Sequence, residues 1–159
     1  MLLEPQSSSD WRPVYRLLTS LVLPRPIAWV STKAADGALN LAPFSFFNVV
    51  CAKPPTIMFC PMLGGQTGRP KDTLTNLGAC PEFVVQIVGR DLVEKMNLCS
   101  GEYAPEVDEF EVAGLTPAPS RLVSVPRVAE AKAFLECRLA QIIPVGEGPG
   151  SGSIVLGEG

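Results

Sequence analysis

The segment with the clearest chemical potential in this chain is Lys71-Asp72-Thr73, which opens a short helix predicted over residues 73–77 and stopped by Gly78. The first turn of a helix leaves backbone N–H groups without partners and carries partial positive charge. With a lysine and a hydroxyl added, such a segment suits a phosphate group. An ordinary capped helix with a solvated lysine has the same sequence, so the segment alone leaves both interpretations open.

A second candidate is a polar pair set among aromatic residues. Ser45 and Asn48 are interspersed with Phe44, Phe46 and Phe47 at the predicted entrance of a strand. Short polar side chains at such a place can hold the hydroxyls or the phosphate of a ligand. They can equally satisfy the backbone groups of a turn, so both roles stay open.

The residue types also exclude several chemistries. The sequence contains no histidine, so any reaction must proceed without imidazole, which points to a cofactor that carries its own reactivity. The five cysteines include no CxxC pair, and no histidine is available to activate a thiolate. We therefore expect reduced, buried thiols in a cytoplasmic chain, with no catalytic side chain and no metal ligand. Trp29 is either a core residue or a stacking platform.

Other binding classes are excluded by motif and charge. The glycines of residues 64–68 do not form a P-loop, because the lysine does not directly follow Gly68 and Pro70 removes a backbone donor. No GxGxxG motif opens a helix after a strand, so a Rossmann site is not supported. A net charge of −3 and a pI near 5.0 argue against nucleic-acid binding. No apolar run reaches about 18 residues, so no membrane-spanning segment is expected, and the acidic residues Glu4 and Asp10 argue against a secretory signal.

Short elements must position these candidates. Sixteen prolines and fourteen glycines divide the chain and favour a β-rich fold. Asp36–Gly37 predicts a hairpin turn, and Lys53-Pro54-Pro55 predicts a second, extended turn. Helices are predicted over 14–21, 73–77, 91–97 and 108–113, the third opened by a capping box of Asp91 and Glu94, the fourth stopped by Gly114. Strands are predicted over 27–32, 39–43, 46–51, 56–60, 83–88 and 133–143, with another starting at 153–156 and loops at 61–70 and 146–152.

Two strand patterns define the fold class. Residues 83–88 are almost continuously apolar, which predicts a central strand buried on both faces. Residues 133–143 alternate, with Glu136 and Arg138 on the solvent face. The predicted core face of this strand comprises Ala133, Leu135, Cys137, Leu139 and Ile143. Together the elements predict one mainly β domain over residues 1–159, a closed or nearly closed antiparallel barrel with small inserted helices; a β-sandwich is the competing architecture.

Ordered motifs over nearly the whole chain, residues 13–158, resemble the flavin reductase-like family. They are RPIAWVST, NLAPFSFFNVV, a double-proline turn, MFCP, KDTLTNL, EFVVQIV, LVEKMN, VDEFEVAGLTPAPS, PRVAEA, LECRL and IVLGE. The resemblance is strongest to the branch with flavoredoxin-like proteins and the reductase component of nitrilotriacetate monooxygenase. It implies the FMN-binding split β-barrel fold.

The resemblance also implies a homodimer whose subunits each bind FMN near their interface. A nicotinamide nucleotide, NADH or NADPH, would then pass a hydride to the flavin without an obligatory side-chain acid or base. Reduced flavin would leave to supply a monooxygenase, or stay bound and pass electrons to a redox partner; a split barrel that binds another ligand is the remaining alternative. The matching flavin-site residues are Arg25, Ile27 and Trp29 on the first strand; Ala42, Pro43, Phe44, Ser45, Phe46 and Asn48; and Lys71, Asp72 and Thr73 at the phosphate.

Two departures from the family pattern are expected to matter. Gln86 stands where relatives usually carry asparagine, which places any ligand contact there in question. Family members also generally continue beyond the position of Gly159 through a segment that commonly includes a histidine. We expect a chain that lacks this closing segment to bind flavin less tightly.

Overall fold

The computed structural model describes residues 10–63 and 69–159. Half of the predicted 61–70 loop, the glycine-rich part at 64–68, lies outside the described residues, as do residues 1–9. No helix in the described part is long and apolar enough to cross a membrane.

The architecture is one seven-stranded antiparallel sheet in the order β2-β1-β5-β8-β9-β4-β3, with a separate two-stranded ribbon of β6 and β7. Its strands are β1 (Ala28–Lys33), β2 (Leu39–Phe44), β3 (Phe47–Ala52), β4 (Pro55–Phe59), β5 (Glu82–Ile87), β6 (Pro117–Ala118), β7 (Arg127–Val128), β8 (Phe134–Val145) and β9 (Gly152–Glu158). The mainly β prediction is confirmed.

The sheet curls around its own core. Its two edge strands, β2 and β3, are consecutive in the chain and are joined only by Ser45 and Phe46, so the edges lie near each other. Within the described residues no ladder pairs β2 with β3, which leaves the barrel open at this seam. The core inside the curl draws buried side chains from six of the strands and from one helix: Ala28, Val30, Phe44, Ile57, Phe59, Leu77, Phe83, Val85, Cys137 and Val155.

A second core covers the outer face of β1 and β2. Trp29 and Leu41 point away from the barrel interior and pack with helical and ribbon residues, including Leu92, Phe110 and Val128. Because the sheet is covered on both faces, a strand at its centre can be apolar on both. In β5, two side chains on each face are fully buried: Phe83, Val84, Val85 and Gln86. The prediction of a central strand buried on both faces is confirmed for residues 83–86, whereas Ile87 is exposed.

The helices are short and lie around the sheet. They are α1 (Arg12–Leu21), α2 (Asp72–Ala79), α3 (Val93–Leu98) and α4 (Glu109–Val112), with a 3-10 turn at Arg90–Leu92. Asp108 caps α4 by accepting from the Phe110 N–H at 2.8 Å. Gly114 follows it with φ +59°, a conformation that favours glycine, so the predicted stop is confirmed.

Two predictions about helix ends are wrong. α2 continues through Gly78 to Ala79, because Gly78 keeps helical geometry and the chain leaves the helix only at Cys80. Asp91 does not cap α3, since a 3-10 turn precedes this helix and no side chain caps its first residue. Asp91 instead pairs with Lys132, its Oδ2 lying 3.1 Å from Nζ.

The predicted core face of β8 is partly wrong. Cys137 is buried and Leu139 packs against the barrel core, but Leu135 and Ile143 are exposed. A bulge between Leu139 and Gln141 shifts the register against β9. Because an extra residue exchanges the two faces of a strand, Ile142 takes the core side in place of Ile143.

Trp29 and Gln86 leave unpaired polar atoms in the second core. They face each other across β1 and β5, and both are fully buried. The Gln86 Nε2 donates to Ser31 Oγ at 3.2 Å. Among the described residues, neither the Trp29 Nε1–H nor the Gln86 Oε1 has a hydrogen-bond partner.

Candidate functional site

The start of α2 opens onto a cavity of about 250 Å³, here called the polar cavity. One wall is β2, another is the segment that leads into α2, and a third is the loop between α3 and α4. Its lining residues are Asn40, Ala42, Pro43, Phe44, Arg69, Pro70, Lys71, Asp72, Thr73, Cys99, Ser100, Gly101, Glu102, Tyr103, Pro105 and Glu109.

Lys71 occupies the position just before the first helical residue of α2. Its backbone is extended, with φ −64° and ψ 148°, and its side chain is not used to cap the helix. Because α2 begins at Asp72, the backbone N–H groups of Asp72 and Thr73 have no carbonyl of an earlier turn to bond. A half-buried lysine and two helix-start donors therefore meet at one cavity.

The Thr73 side chain is already engaged. It is fully buried, and its hydroxyl donates to Asn40 Oδ1 at 2.9 Å. A hydroxyl has a single hydrogen to donate. Thr73 therefore offers a ligand its backbone N–H group rather than its side-chain hydrogen.

Glu109 places a buried carboxylate in the wall of the polar cavity. It is 5% exposed. One carboxylate oxygen accepts from Asn40 Nδ2 and the other from the Leu41 N–H, each at 2.9 Å. Burial raises the pKa of Glu109, and the hydrogen bonds from Leu41 and Asn40 oppose that rise because they stabilise the charged form.

A second cavity of about 360 Å³, the aromatic cavity, adjoins the first. The two share Pro43, Phe44, Lys71 and Glu102 in their walls. The aromatic cavity adds Trp11 and Tyr15 from the α1 region, the seam residues Ser45 and Phe46, and Cys60, Met62 and Leu63. Lys71 thus stands between a polar compartment and an aromatic one.

The structure brings together most of the residues predicted for the site. Ala42 and the run from Pro43 to Phe46 line one or both cavities, as do Lys71, Asp72 and Thr73. Four predicted residues, Arg25, Ile27, Trp29 and Asn48, line neither cavity. For all twelve predicted residues, contact with a ligand stays a prediction.

The structure gives a reason for the positions of Trp29 and Asn48. Side chains on β1 alternate between the two faces of the sheet, and that of Trp29 points outward into the second core. Asn48 lies on the exposed edge strand β3, where its Oδ1 accepts from the Val49 N–H at 2.8 Å. Gln86 is also enclosed in the core and lines neither cavity.

Arg25 serves as a tether for α1. Its guanidinium donates to the Thr19 carbonyl, to the Val22 carbonyl at 2.8 Å and to Ser45 Oγ at 3.4 Å. No described residue of α1 is buried, and these bonds join the helix to the seam together with the ring contact between Tyr15 and Phe46. Since Trp11 and Tyr15 form part of the aromatic cavity, Arg25 supports that wall indirectly.

We expect Arg25→Ala to release α1. Bonds from a charged donor contribute about 1.5 kcal/mol or more each, so amide exchange in residues 15–22 should accelerate about tenfold or more. Hydrogen–deuterium exchange measures this directly, with Arg16→Ala as the control, because Arg16 is an arginine of the same helix outside the tether. Unchanged exchange in Arg25→Ala would contradict the tether.

Sequence reasoning missed the loop wall and the buried network. The loop 99–105 has no chemical motif, and only its position after α3 brings Ser100, Glu102 and Tyr103 to the cavity. Asn40 and Glu109 each lie within motifs quoted for the family, yet they are 69 residues apart and meet only in the folded chain. A polar residue inside an apolar strand, such as Asn40, was the available signal.

The cysteines are free thiols. Burial raises the pKa of Cys99 to about 11 and that of Cys137 to about 12. Burial also raises the pKa of Cys60, the cysteine in the aromatic cavity. Because the thiolate is the nucleophile, these shifts make all three poor nucleophiles at neutral pH.

Comparison with known proteins identifies the fold and the family. The family model "Flavin reductase like domain" matches residues 20–158. An uncharacterized protein of Aquifex aeolicus is 47% identical over 137 residues, covering 86% of this chain and 69% of the relative. Another relative, from Deinococcus radiodurans, is 43% identical, and this chain spans 63% of its length.

Solved structures are similar over nearly the whole chain. Nitrilotriacetate monooxygenase component B from Bacillus cereus superposes with a TM-score of 0.91 at 36% identity, covering 99% of this chain and 78% of that one. The 2-nitrobenzoate 2-nitroreductase NbaA from Pseudomonas fluorescens gives 0.84 at 32% identity, covering 99% and 73%. A split-barrel protein from Shewanella frigidimarina, at 21% identity and a TM-score of 0.83, shows the fold alone. The fold is thus a split barrel, and the chain belongs to the flavin reductase-like family.

Proposed function

We propose that this protein is an FMN-binding oxidoreductase that uses NADH or NADPH to reduce the flavin. The observation that carries the proposal is the placement of Lys71 at the start of α2, between the polar and the aromatic cavities. A flavin mononucleotide has the same division, with a dianionic phosphate at one end and an aromatic ring system at the other.

The residues present fit this cofactor. Lys71 and the backbone N–H groups of Asp72 and Thr73 would hold the phosphate. Pro43, Phe44 and Phe46, with Tyr15, would supply apolar and aromatic surface for the ring. Ser45, at the seam between β2 and β3, offers a hydroxyl group in the wall of the aromatic cavity.

Bound flavin supplies the redox chemistry, accepting a hydride from the nicotinamide nucleotide. The chain's own residues bind and orient. Burial raises the pKa of Cys60 and Cys99, and the sequence contains no histidine, so neither a thiolate nor an imidazole is available for proton transfer in the described parts of the two cavities. Both oxygens of Glu109 already accept hydrogen bonds within the wall. The protein's contribution is therefore the geometry of the two cavities and the exclusion of water from the ring.

Assembly and partners complete the proposal. We infer a homodimer that binds FMN near the subunit interface and supplies reduced flavin to a monooxygenase, a role in keeping with the similarity to component B of nitrilotriacetate monooxygenase. The free thiols suit a reducing compartment such as the cytoplasm.

The test begins with an absorbance spectrum of the purified protein from about 300 to 550 nm, before and after adding FMN and desalting. We expect flavin bands after FMN addition and oxidation of NADH or NADPH that depends on added FMN. Flavin that is retained but reduced only by a partner protein would indicate an electron-carrier flavoprotein instead. A protein that binds no flavin under either condition and does not accelerate nicotinamide oxidation would overturn the proposal.

A further inference from the structure

We propose that Glu109 is a positioning residue for the phosphate-binding segment 71–73 and acts on it through Asn40. The inference rests on the proposed function for the presence of a phosphate, and it assigns a role to a carboxylate that cannot contact that phosphate favourably. Its basis is a chain of hydrogen bonds, all between buried residues, that runs from α4 through β2 to the first turn of α2.

Glu109 fixes the orientation of the Asn40 side chain. Its two oxygens accept from Asn40 Nδ2 and from the Leu41 N–H at 2.9 Å each. A carboxylate only accepts hydrogen bonds, so the NH₂ group of Asn40 must face it. The Asn40 carbonyl oxygen is thereby turned towards α2.

That carbonyl oxygen holds the beginning of α2. It accepts from Thr73 Oγ1 at 2.9 Å and from Thr32 Oγ1 at 3.3 Å. Thr32 Oγ1 in turn accepts from Asn76 Nδ2 at 3.1 Å. Two residues of α2, one turn apart, are therefore bonded to a network whose direction Glu109 sets.

Burial makes the network costly to disturb. Asn40, Thr73 and Asn76 are buried, and Thr32 is fully so. A donor or acceptor left unpaired there loses its bond and gains no water in exchange. The helix start, with Lys71 just before it, is thus held at one distance from β2.

The negative charge of Glu109 allows a positioning role to be distinguished from a direct electrostatic effect on the phosphate. Glu109 and Lys71 line the same cavity, so a negative charge at Glu109 by itself opposes the binding of an anion. Removing the charge by Glu109→Gln should strengthen FMN binding if electrostatics decides. The substitution should weaken FMN binding if positioning decides, because the amide has one acceptor oxygen for two donors. Its NH₂ group must face either the Asn40 NH₂ group, which forces Asn40 to turn, or the Leu41 N–H, which loses its buried acceptor next to Asn40.

The experiment compares FMN with riboflavin, which lacks the phosphate, as ligands of wild type, Glu109→Gln and Thr73→Val. Fluorescence titration gives both dissociation constants, with thermal unfolding of each variant measured in parallel. We expect each variant to weaken FMN about tenfold and riboflavin less than about twofold, since one buried hydrogen bond is at stake. Thr75→Val is the matched control, because Thr75 lies exposed on the same helix, and it should change neither constant.

Each outcome either supports or overturns the positioning role of Glu109. Equal or tighter FMN binding in Glu109→Gln would overturn the positioning role. If Glu109→Gln does not fold, Thr73→Val decides, since valine has nearly the shape of threonine and the charge of Glu109 is kept. Equal weakening of FMN and riboflavin binding by Thr73→Val would indicate general loosening of the site rather than positioning of the phosphate. If Lys71→Ala weakens FMN binding more than riboflavin binding, but Glu109→Gln and Thr73→Val do not, the positioning role is overturned and the proposed function stands. Failure of wild type to bind FMN would overturn the proposed function and this inference with it.

Discussion

Replacing Lys71 with alanine is expected to weaken FMN binding by about 10- to 100-fold and riboflavin binding by less than about twofold. A hydrogen bond to a charged group contributes about 1.5–3 kcal/mol, which corresponds to that range of dissociation constants. Lys71 is half-buried at the start of α2 and lines both cavities, so its ammonium group is less screened than one on an open surface.

Fluorescence titration with the two ligands checks this prediction. Lys53→Ala is the control: Lys53 is exposed in the turn between β3 and β4, so its removal makes the same change in net charge away from both cavities. Equal weakening of FMN and riboflavin by Lys71→Ala would show that Lys71 does not hold the phosphate. A weakening of FMN by Lys53→Ala as large as that by Lys71→Ala would point to net charge as the cause.

Replacing Gly157 with alanine is expected to destabilise the barrel by about 3 kcal/mol, an overpacking effect at the upper end of its usual range. A Cβ atom at this position would lie 2.2 Å from Cζ and 2.8 Å from Cε1 of Phe83. Phe83 is fully buried in the barrel core, and Gly157 is paired with Ile57 on one side and Leu139 on the other. Relief of this contact therefore requires a shift either of a ring packed in the barrel core or of a strand paired on both sides.

Chemical denaturation or calorimetry measures the loss, and Gly78→Ala provides a matched control with the opposite sign. A Cβ at Gly78 meets nothing within 4 Å, and the residue lies in α2. Alanine there should stabilise the protein by up to about 1 kcal/mol through helix propensity. Combining Gly157→Ala with Phe83→Leu should recover part of the lost stability, since the smaller side chain vacates the contact. A Gly157→Ala protein as stable as wild type would contradict the close approach.

The sequence by itself determined the class of fold and the identity of the helix whose first residues line the polar cavity. Alternating and continuous apolar runs, divided by proline and glycine, predicted strands close to those observed, because side-chain periodicity is a local property of the chain. Lys71 before a short helix made an anion site one of two open interpretations for an equally local reason: helix-start donors need no tertiary contact to exist.

Local patterns failed where an insertion or a neighbouring element intervened. The bulge after Leu139 exchanged the faces of β8, and one extra residue leaves no mark in a pattern of alternating polarity. The 3-10 turn before α3 removed the capping role of Asp91. Trp29 faces a second core rather than either cavity, which depended on helices that are distant in sequence.

Only the tertiary structure decided how the site is assembled. It brought the loop 99–105 to face α2, joined the polar and aromatic cavities at Lys71, and placed Glu109 against Asn40 across 69 residues of chain. These contacts depend on strand order and on the packing of α4 over β2. Because a hydrogen bond between distant residues is formed by folding and has no local signature, no stretch of sequence contains it.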